Sequence, residues 1–80
     1  MNWQAYIEQR PDVMMGKPVI KGTRLTVELI LERLGNGAPM EDILDSYPQL
    51  GREHIQAAQA YAAAYLSFDK TIWEGDPVTR

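Results

Sequence analysis

The chain has 80 residues, a formal net charge of -3, a sequence pI of about 4.9 and no cysteine. These totals predict one small domain and exclude disulfides, thiolate zinc sites and a cysteine nucleophile. The acidic balance argues against strong non-specific binding to nucleic acid, because domains that bind it in this way tend to be basic. A single histidine, His54, cannot build a histidine metal site by itself. We therefore expect no metal, no cofactor and no small-molecule substrate.

The sequence carries no pattern typical of membrane insertion or export. No apolar run approaches the roughly 18 residues that a membrane span needs. The first ten residues, MNWQAYIEQR, lack the apolar region of a signal peptide. We expect a cytoplasmic protein without membrane contact.

Residues 1–25 are predicted to form a short β arm. Residues 6–8 and 18–21 favour strands, and residues 24–26 could return beside the second strand. Such a hairpin is marginal alone, so the arm is expected to pack on the helices or to pair with a second subunit. Its turn residues are too closely spaced for a helix: Pro11, Gly16, Pro18 and Gly22.

The stretch MMGKPVIKGTRLT, residues 14–26, could suggest a phosphate-binding loop. That loop needs lysine and a hydroxyl after the second glycine, whereas Lys17 follows the first. Pro18 also lacks a backbone N–H that a phosphate-binding nest would use. We instead expect a hairpin turn, with Arg24 paired to an acid such as Asp12. Four residues are assigned structural roles in it: Gly16, Pro18, Gly22 and Thr23.

Residues 26–68 are predicted to form three helices. The first has Thr26 as its N-cap, an apolar face at helical spacing, and a stop at the glycines of residues 35–37. The second starts with Pro39 at its first position and ends at Pro48. Acidic residues cluster on it, which is more typical of a solvated face than of a metal-dependent nuclease.

The third helix, REHIQAAQAYAAAYLSF (residues 52–68), is rich in alanine, the best helix former. One side of it is predicted to carry an apolar stripe: Ile55, Ala58, Ala62, Tyr65 and Leu66. The opposite side carries Arg52, Gln56, Gln59 and Ala63. Residues 69–80 have little periodicity and are predicted to be an irregular tail.

The second and third helices, with the turn between them, have the spacing of a helix-turn-helix. The first turns of its second helix would meet base edges in the major groove. We predict DNA contacts for five residues: Arg52, Gln56, Gln59, Lys21 and Arg24. Any three-helix bundle contains two helices joined by a turn, however, and Glu53 would repel phosphate. A bundle that binds only a partner protein therefore remains the alternative.

The aromatic residues divide into core candidates and partner candidates. Tyr47, Tyr61 and Tyr65 fall at helical spacing and are interpreted as core or interface residues rather than base-stacking platforms. Trp73 follows Ile72 in a polar tail, where an apolar anchor is typical of a segment that folds onto a partner. The alternative is that Trp73 packs back on its own domain. The residues predicted to bind a partner are Tyr65, Phe68, Ile72 and Trp73.

The motif GKPVIKGTR (residues 16–24), with the helix after it and the YPQL turn (residues 47–50), resembles a family of small bacterial proteins. These carry a domain of unknown function (DUF) and are grouped with VapB-like antitoxins. The resemblance covers residues 7 to about 66. Members often have glycine where this chain has Met15, and Ser or Thr where it has Gly51.

The resemblance implies a mainly α, homeodomain-like three-helix domain with a short N-terminal β arm. It also implies a non-enzymatic, DNA-binding antitoxin that acts as a homodimer. Such antitoxins neutralise a PIN-like ribonuclease toxin by contact and repress their own operon through operator DNA.

Overall fold

The computed structural model describes residues 1–67. The predictions for Phe68, Ile72, Trp73 and the tail of residues 69–80 lie outside the described residues. The prediction of a mainly helical chain with three helices and a small β arm is confirmed. The elements are strands β1 (Ile7–Glu8) and β2 (Val19–Ile20), and helices α1 (Val27–Gly35), α2 (Met40–Ser46) and α3 (Arg52–Leu66).

The arm is a two-stranded antiparallel sheet extended by one further bridge. Ile7 lies opposite Ile20, and Glu8 lies opposite Val19. Beyond the turn, Thr26 forms an antiparallel bridge with Val19, so the chain returns beside β2 as the sequence predicts. The side chains of Ile7, Val19 and Ile20 are buried, so the short sheet packs firmly on the helical core.

The turn after β2 is held by its own side chains. Gly22 has a φ of 77°, a conformation that favours glycine. The hydroxyl of Thr23 donates to the carbonyl of Ile20 at 2.8 Å and accepts from the N–H of Leu25 at 3.0 Å. The expected pairing of Arg24 with Asp12 is wrong, because the carboxylate of Asp12 lies 3.6 Å from Arg10.

Helix α1 begins and ends where the sequence predicts. The Thr26 hydroxyl accepts a hydrogen bond from the N–H of Leu29 at 3.0 Å and satisfies one of the free donors at the start of the helix. Val27 and Ile30 are buried against the other elements. Gly37, with a φ of 95°, turns the chain toward α2.

Two details of α2 and α3 differ from the sequence prediction. Pro39 is the N-cap of α2, with extended backbone, and Met40 is the first helical residue. On α3, Ala57 is buried beside Ile55 and Ala58. Tyr65 and Leu66, which we had placed in the same apolar stripe, are instead 64% and 56% exposed. The helix extends past the core, so these two side chains of its last turn are more than half exposed.

The N-terminal residues pack against α3. A short turn over Trp3–Ala5 places the Trp3 ring edge-on against Tyr61, with ring centroids 4.9 Å apart. Tyr6 makes a similar edge contact with His54, at 5.4 Å. Edge-to-face geometry at these distances is favourable for aromatic pairs. The N-terminal segment therefore contacts α3 at two points about two helical turns apart.

None of the helices within residues 1–67 has the length and hydrophobicity that a membrane span requires.

Candidate functional site

The turn between α2 and α3 is tied firmly to the rest of the domain. Leu50 is buried, and its N–H donates to the carbonyl of Tyr47 at 2.9 Å. The guanidinium of Arg33 on α1 donates to the Tyr47 hydroxyl at 3.3 Å and lies 5.5 Å from the centre of its ring. The start of α3 is thereby held at a defined position relative to both other helices.

The first turn of α3 is capped by its own histidine. The backbone N–H of Gly51 donates to Nδ1 of His54 at 2.9 Å, and the N–H of His54 donates to the Gly51 carbonyl at 3.1 Å. This reciprocal arrangement resembles a capping box in which the side chain at the third helical position supplies the acceptor. The Glu53 carboxylate lies 3.9 Å from the same nitrogen. His54 therefore has a structural role.

Three of the predicted DNA contacts share one exposed face of α3. The side chains of Arg52, Gln56 and Gln59 are exposed, while Ile55 and Ala58 on the other side are fully buried. Within residues 1–67, neither glutamine amide makes a hydrogen bond, so both are free to bind a ligand. The face lies at the start of the second helix of the α2–turn–α3 unit. We refer to Arg52, Gln56 and Gln59 as the α3 polar face.

The one cation of this face, Arg52, is paired with a carboxylate and lies in an acidic part of the chain. The guanidinium of Arg52 lies 3.7 Å from the Glu41 carboxylate on α2, and it also donates to the sulfur of Met40 at 3.3 Å. Across residues 39–59 it is the only lysine or arginine against four carboxylates: Glu41, Asp42, Asp45 and Glu53. The local potential is therefore unfavourable for a phosphate backbone.

The two predicted contacts in the arm lie in different places. The N–H of Lys21 donates to the carbonyl of Tyr6, whose ring touches His54, so Lys21 is linked to the first turn of α3. Arg24 instead lines a cleft beside α1 with Lys17 and Glu28. The backbone of Lys21 is thus linked through Tyr6 to the first turn of α3, whereas Arg24 lies beside α1.

An ion pair closes the side of this cleft. The ammonium of Lys17 donates to the Glu28 carboxylate at 2.8 Å. This hydrogen bond, with the Coulomb attraction between the two groups, raises the pKa of Lys17 and lowers the pKa of Glu28. Both groups are therefore charged at neutral pH, and the pair joins the arm to the first turn of α1.

A mostly apolar groove runs between α1 and the last two turns of α3. It has a volume of about 680 Å³, and Gln9 and Pro18 of the arm also line it. Glu28 and Glu32 of α1 line it as well. The rings of Tyr61 and Tyr65 stack along one wall with centroids 6.3 Å apart. The apolar lining comes from the two helices: Val27, Leu31, Tyr61, Ala62, Tyr65 and Leu66.

The sequence predictions missed a strained turn in the arm. Met14, Met15 and Gly16 have φ values of 47°, 57° and 83°, three left-handed residues in succession. The Gly16 carbonyl accepts from the Gln9 amide at 3.0 Å, which ties the turn to the end of β1. Two adjacent non-glycine residues in this region are rare. The resemblance given above, in which glycine often stands at the position of Met15, was the signal that could have indicated it.

The described residues contain no group of three or more histidine, aspartate or glutamate side chains placed to hold a metal ion. Glu41, Asp42 and Asp45 on α2 therefore do not form such a site. All three side chains are exposed on α2, as is typical of a solvated helix surface.

Comparison with known proteins places the chain in a family. Residues 7–62 match the family model described as "Protein of unknown function (DUF433)". The uncharacterized protein y4eO of Sinorhizobium fredii (strain NBRC 101917 / NGR234) is 34% identical over 58 residues, which are 72% of this chain. The chain spans about a quarter (26%) of the length of that relative.

A solved structure shares the fold. The crystal structure of a DUF433 member protein from Anabaena variabilis ATCC 29413 is 31% identical, with a TM-score of 0.74. The similarity covers 86% of this chain and 69% of that chain. On the match to more than half of its residues, the chain belongs to the DUF433 family.

Proposed function

We propose that this protein is an antitoxin-like, DNA-binding regulator of a toxin–antitoxin pair. It would act as a homodimer, neutralise a PIN-like ribonuclease toxin and repress its own operon. The observation that supports DNA reading is the α3 polar face, which offers one guanidinium and two unengaged amides at the start of the second helix of the α2–turn–α3 unit. A homeodomain-like docking of α3 in the major groove is part of this proposal.

Each residue of the α3 polar face has a suitable chemistry for base edges. Arginine pairs in a bidentate manner with guanine and glutamine with adenine, at about 1–3 kcal/mol of discrimination for each pair. Arg52 would first leave Glu41, which costs little because both side chains are solvent-exposed at 3.7 Å. Lys21 and Arg24 would contact phosphates. In a dimer the two α3 helices would enter successive major grooves about 34–36 Å apart.

The toxin would be held by the C-terminal end of the chain. Tyr65 is exposed at the end of α3, and Phe68, Ile72 and Trp73 follow it in the sequence. The net charge of -3 would favour association with a basic ribonuclease surface.

The decisive experiment is fluorescence anisotropy with the DNA upstream of this gene, titrated against a scrambled duplex at several salt concentrations. We expect tighter binding to the native duplex, with a salt slope of about 0.9 for each phosphate contacted. Gln56→Ala with Gln59→Ala should weaken specific binding by about 1–3 kcal/mol for each amide. The matched control is Gln4→Ala, an exposed glutamine in the N-terminal turn. A double variant that binds the native duplex as tightly as the parent would refute the assignment.

A second candidate is a protein-interaction module that holds a partner without reading DNA. The excess of four carboxylates over one arginine across residues 39–59 favours it, because negative charge opposes the approach of a phosphate backbone. On this reading, both duplexes would bind equally and weakly in the anisotropy titration. The chain would nevertheless co-purify with the PIN-like ribonuclease.

A further inference from the structure

We propose that the groove between α1 and α3 is a docking site for the chain's own C-terminal segment, with Ile72 and Trp73 as its anchors. This inference concerns a different surface from the α3 polar face and does not depend on DNA binding. The groove leaves a tyrosine and a leucine more than half exposed on a domain whose core is small. Paired exposed apolar residues beside a groove are typical of a surface that is covered in use.

The position of the groove favours this occupant. Tyr65 and Leu66 line it, and the 13 residues of 68–80 follow directly after Ser67. Trp73 lies six residue steps after Ser67, enough to span about 20 Å when extended. The part of the groove on α3, from Tyr61 to Leu66, covers five residue steps and therefore about 7–8 Å along the axis. The reach of the segment to Trp73 is therefore longer than this part of the groove.

Two features of the segment match the lining of the groove. Ile72 and Trp73 form an apolar pair between Thr71 and Glu74, and Lys70 lies two residues before the pair. The groove has an apolar floor and a carboxylate, Glu32, that makes no ion pair among residues 1–67. Trp73 would lie on the floor near Leu31, and Lys70 would face Glu32.

Tethering favours the chain's own segment over a second copy. Because the segment is joined to α3 by a short tether, its effective concentration at the groove is in the millimolar range. Another molecule would have to exceed that concentration, or bind more tightly, to displace it. Trp73, which we also assign to the toxin contact, would then be held on its own domain until a partner releases it.

The test uses the full chain with Trp3→Phe, so that Trp73 is its one tryptophan. Emission wavelength and quenching by acrylamide report its exposure, and far-UV circular dichroism reports the fold. We expect blue-shifted emission and quenching several-fold weaker than that of free N-acetyltryptophanamide. Tyr65→Ala and Leu66→Ala should abolish this protection while retaining helix propensity. Glu53→Ala, an exposed residue at the other end of α3, is the matched control and should leave it unchanged.

Three outcomes would overturn the proposal. These are quenching as strong as that of the free indole, protection that survives both groove variants, and protection that falls on dilution. The last would assign the groove to a second copy of the chain. If Trp3→Phe disturbs the fold, fluorine NMR of the parent labelled with 5-fluorotryptophan gives the same readout, with Trp73→Phe identifying its resonance. A failed DNA titration would leave these results unaffected, so the two proposals fail separately.

Discussion

Replacing Met15 with glycine should stabilise the protein. Met15 has φ 57° and ψ 34°, in the left-handed region, directly after Met14 with φ 47°. An L-residue other than glycine pays a steric penalty there, because its Cβ approaches the backbone. The Met15 side chain is 90% exposed, so its packing does not repay that penalty. Glycine removes the clash without removing a contact.

The expected gain follows from two opposing terms. Relief of the left-handed conformation contributes about 1–2 kcal/mol. The greater freedom of glycine in the unfolded chain takes back about 0.5–1 kcal/mol. The net stabilisation is therefore about 0.5–1 kcal/mol. For a domain of this size, each kcal/mol raises Tm by about 4–8 °C.

Urea unfolding followed by far-UV circular dichroism measures this difference as a change in midpoint at constant slope. Met15→Ala keeps the Cβ and removes only an exposed side chain, so it should leave the midpoint where it is. Gly16→Ala should destabilise by about 0.5–1 kcal/mol by the same two terms, because φ is 83° there. An added Cβ would meet no other atom within 4 Å, so the cost comes from the backbone conformation alone. If Met15→Gly unfolds at a lower urea concentration than Met15→Ala, the turn is not strained and the reasoning is wrong.

Three further changes test the fold. Thr26→Ala should cost about 1 kcal/mol in urea unfolding, because it removes the cap on the N–H of Leu29, whereas Thr26→Ser should restore most of it. Glu28→Gln should lower Tm at neutral pH. The difference in Tm between this variant and the parent should close as pH falls through the lowered pKa of Glu28. If Glu28→Gln no longer lowers Tm in a Lys17→Met background, the ion pair is the cause of the difference. A double-mutant cycle with Trp3→Leu and Tyr61→Leu should give a coupling of about 0.5–1.5 kcal/mol, and additive losses would contradict their edge contact.

The sequence predicted features that are set by neighbouring residues. Thr26, the apolar period after it and the glycines at its end define α1, and each acts over a few residues. The turn at Gly22 is similarly local, since Thr23 bonds residues within three positions of itself. These features require no knowledge of the rest of the chain.

What the sequence did not predict depends on contacts between distant residues. Helical periodicity placed Tyr65 and Leu66 in the stripe with Ile55, but it does not say where the core ends along the helix axis. The packing of Trp3 on Tyr61 joins residues far apart in the chain, and no periodic pattern in the N-terminal residues signals it. Likewise, the exposure of Arg52 was predictable, whereas its pairing with Glu41 required the orientation of α2 against α3.

The arm and the α3 polar face are mechanically linked, which governs how variants in the arm should be interpreted. Lys21 bonds the backbone of Tyr6, and the Tyr6 ring rests on His54, whose imidazole caps α3. Moving this part of the arm therefore disturbs the start of α3 without any contact to a ligand. Loss of DNA binding in a Lys21 variant would identify a phosphate contact only if the salt slope fell by about 0.9 as well. An unchanged slope with weaker binding would instead indicate a displaced α3.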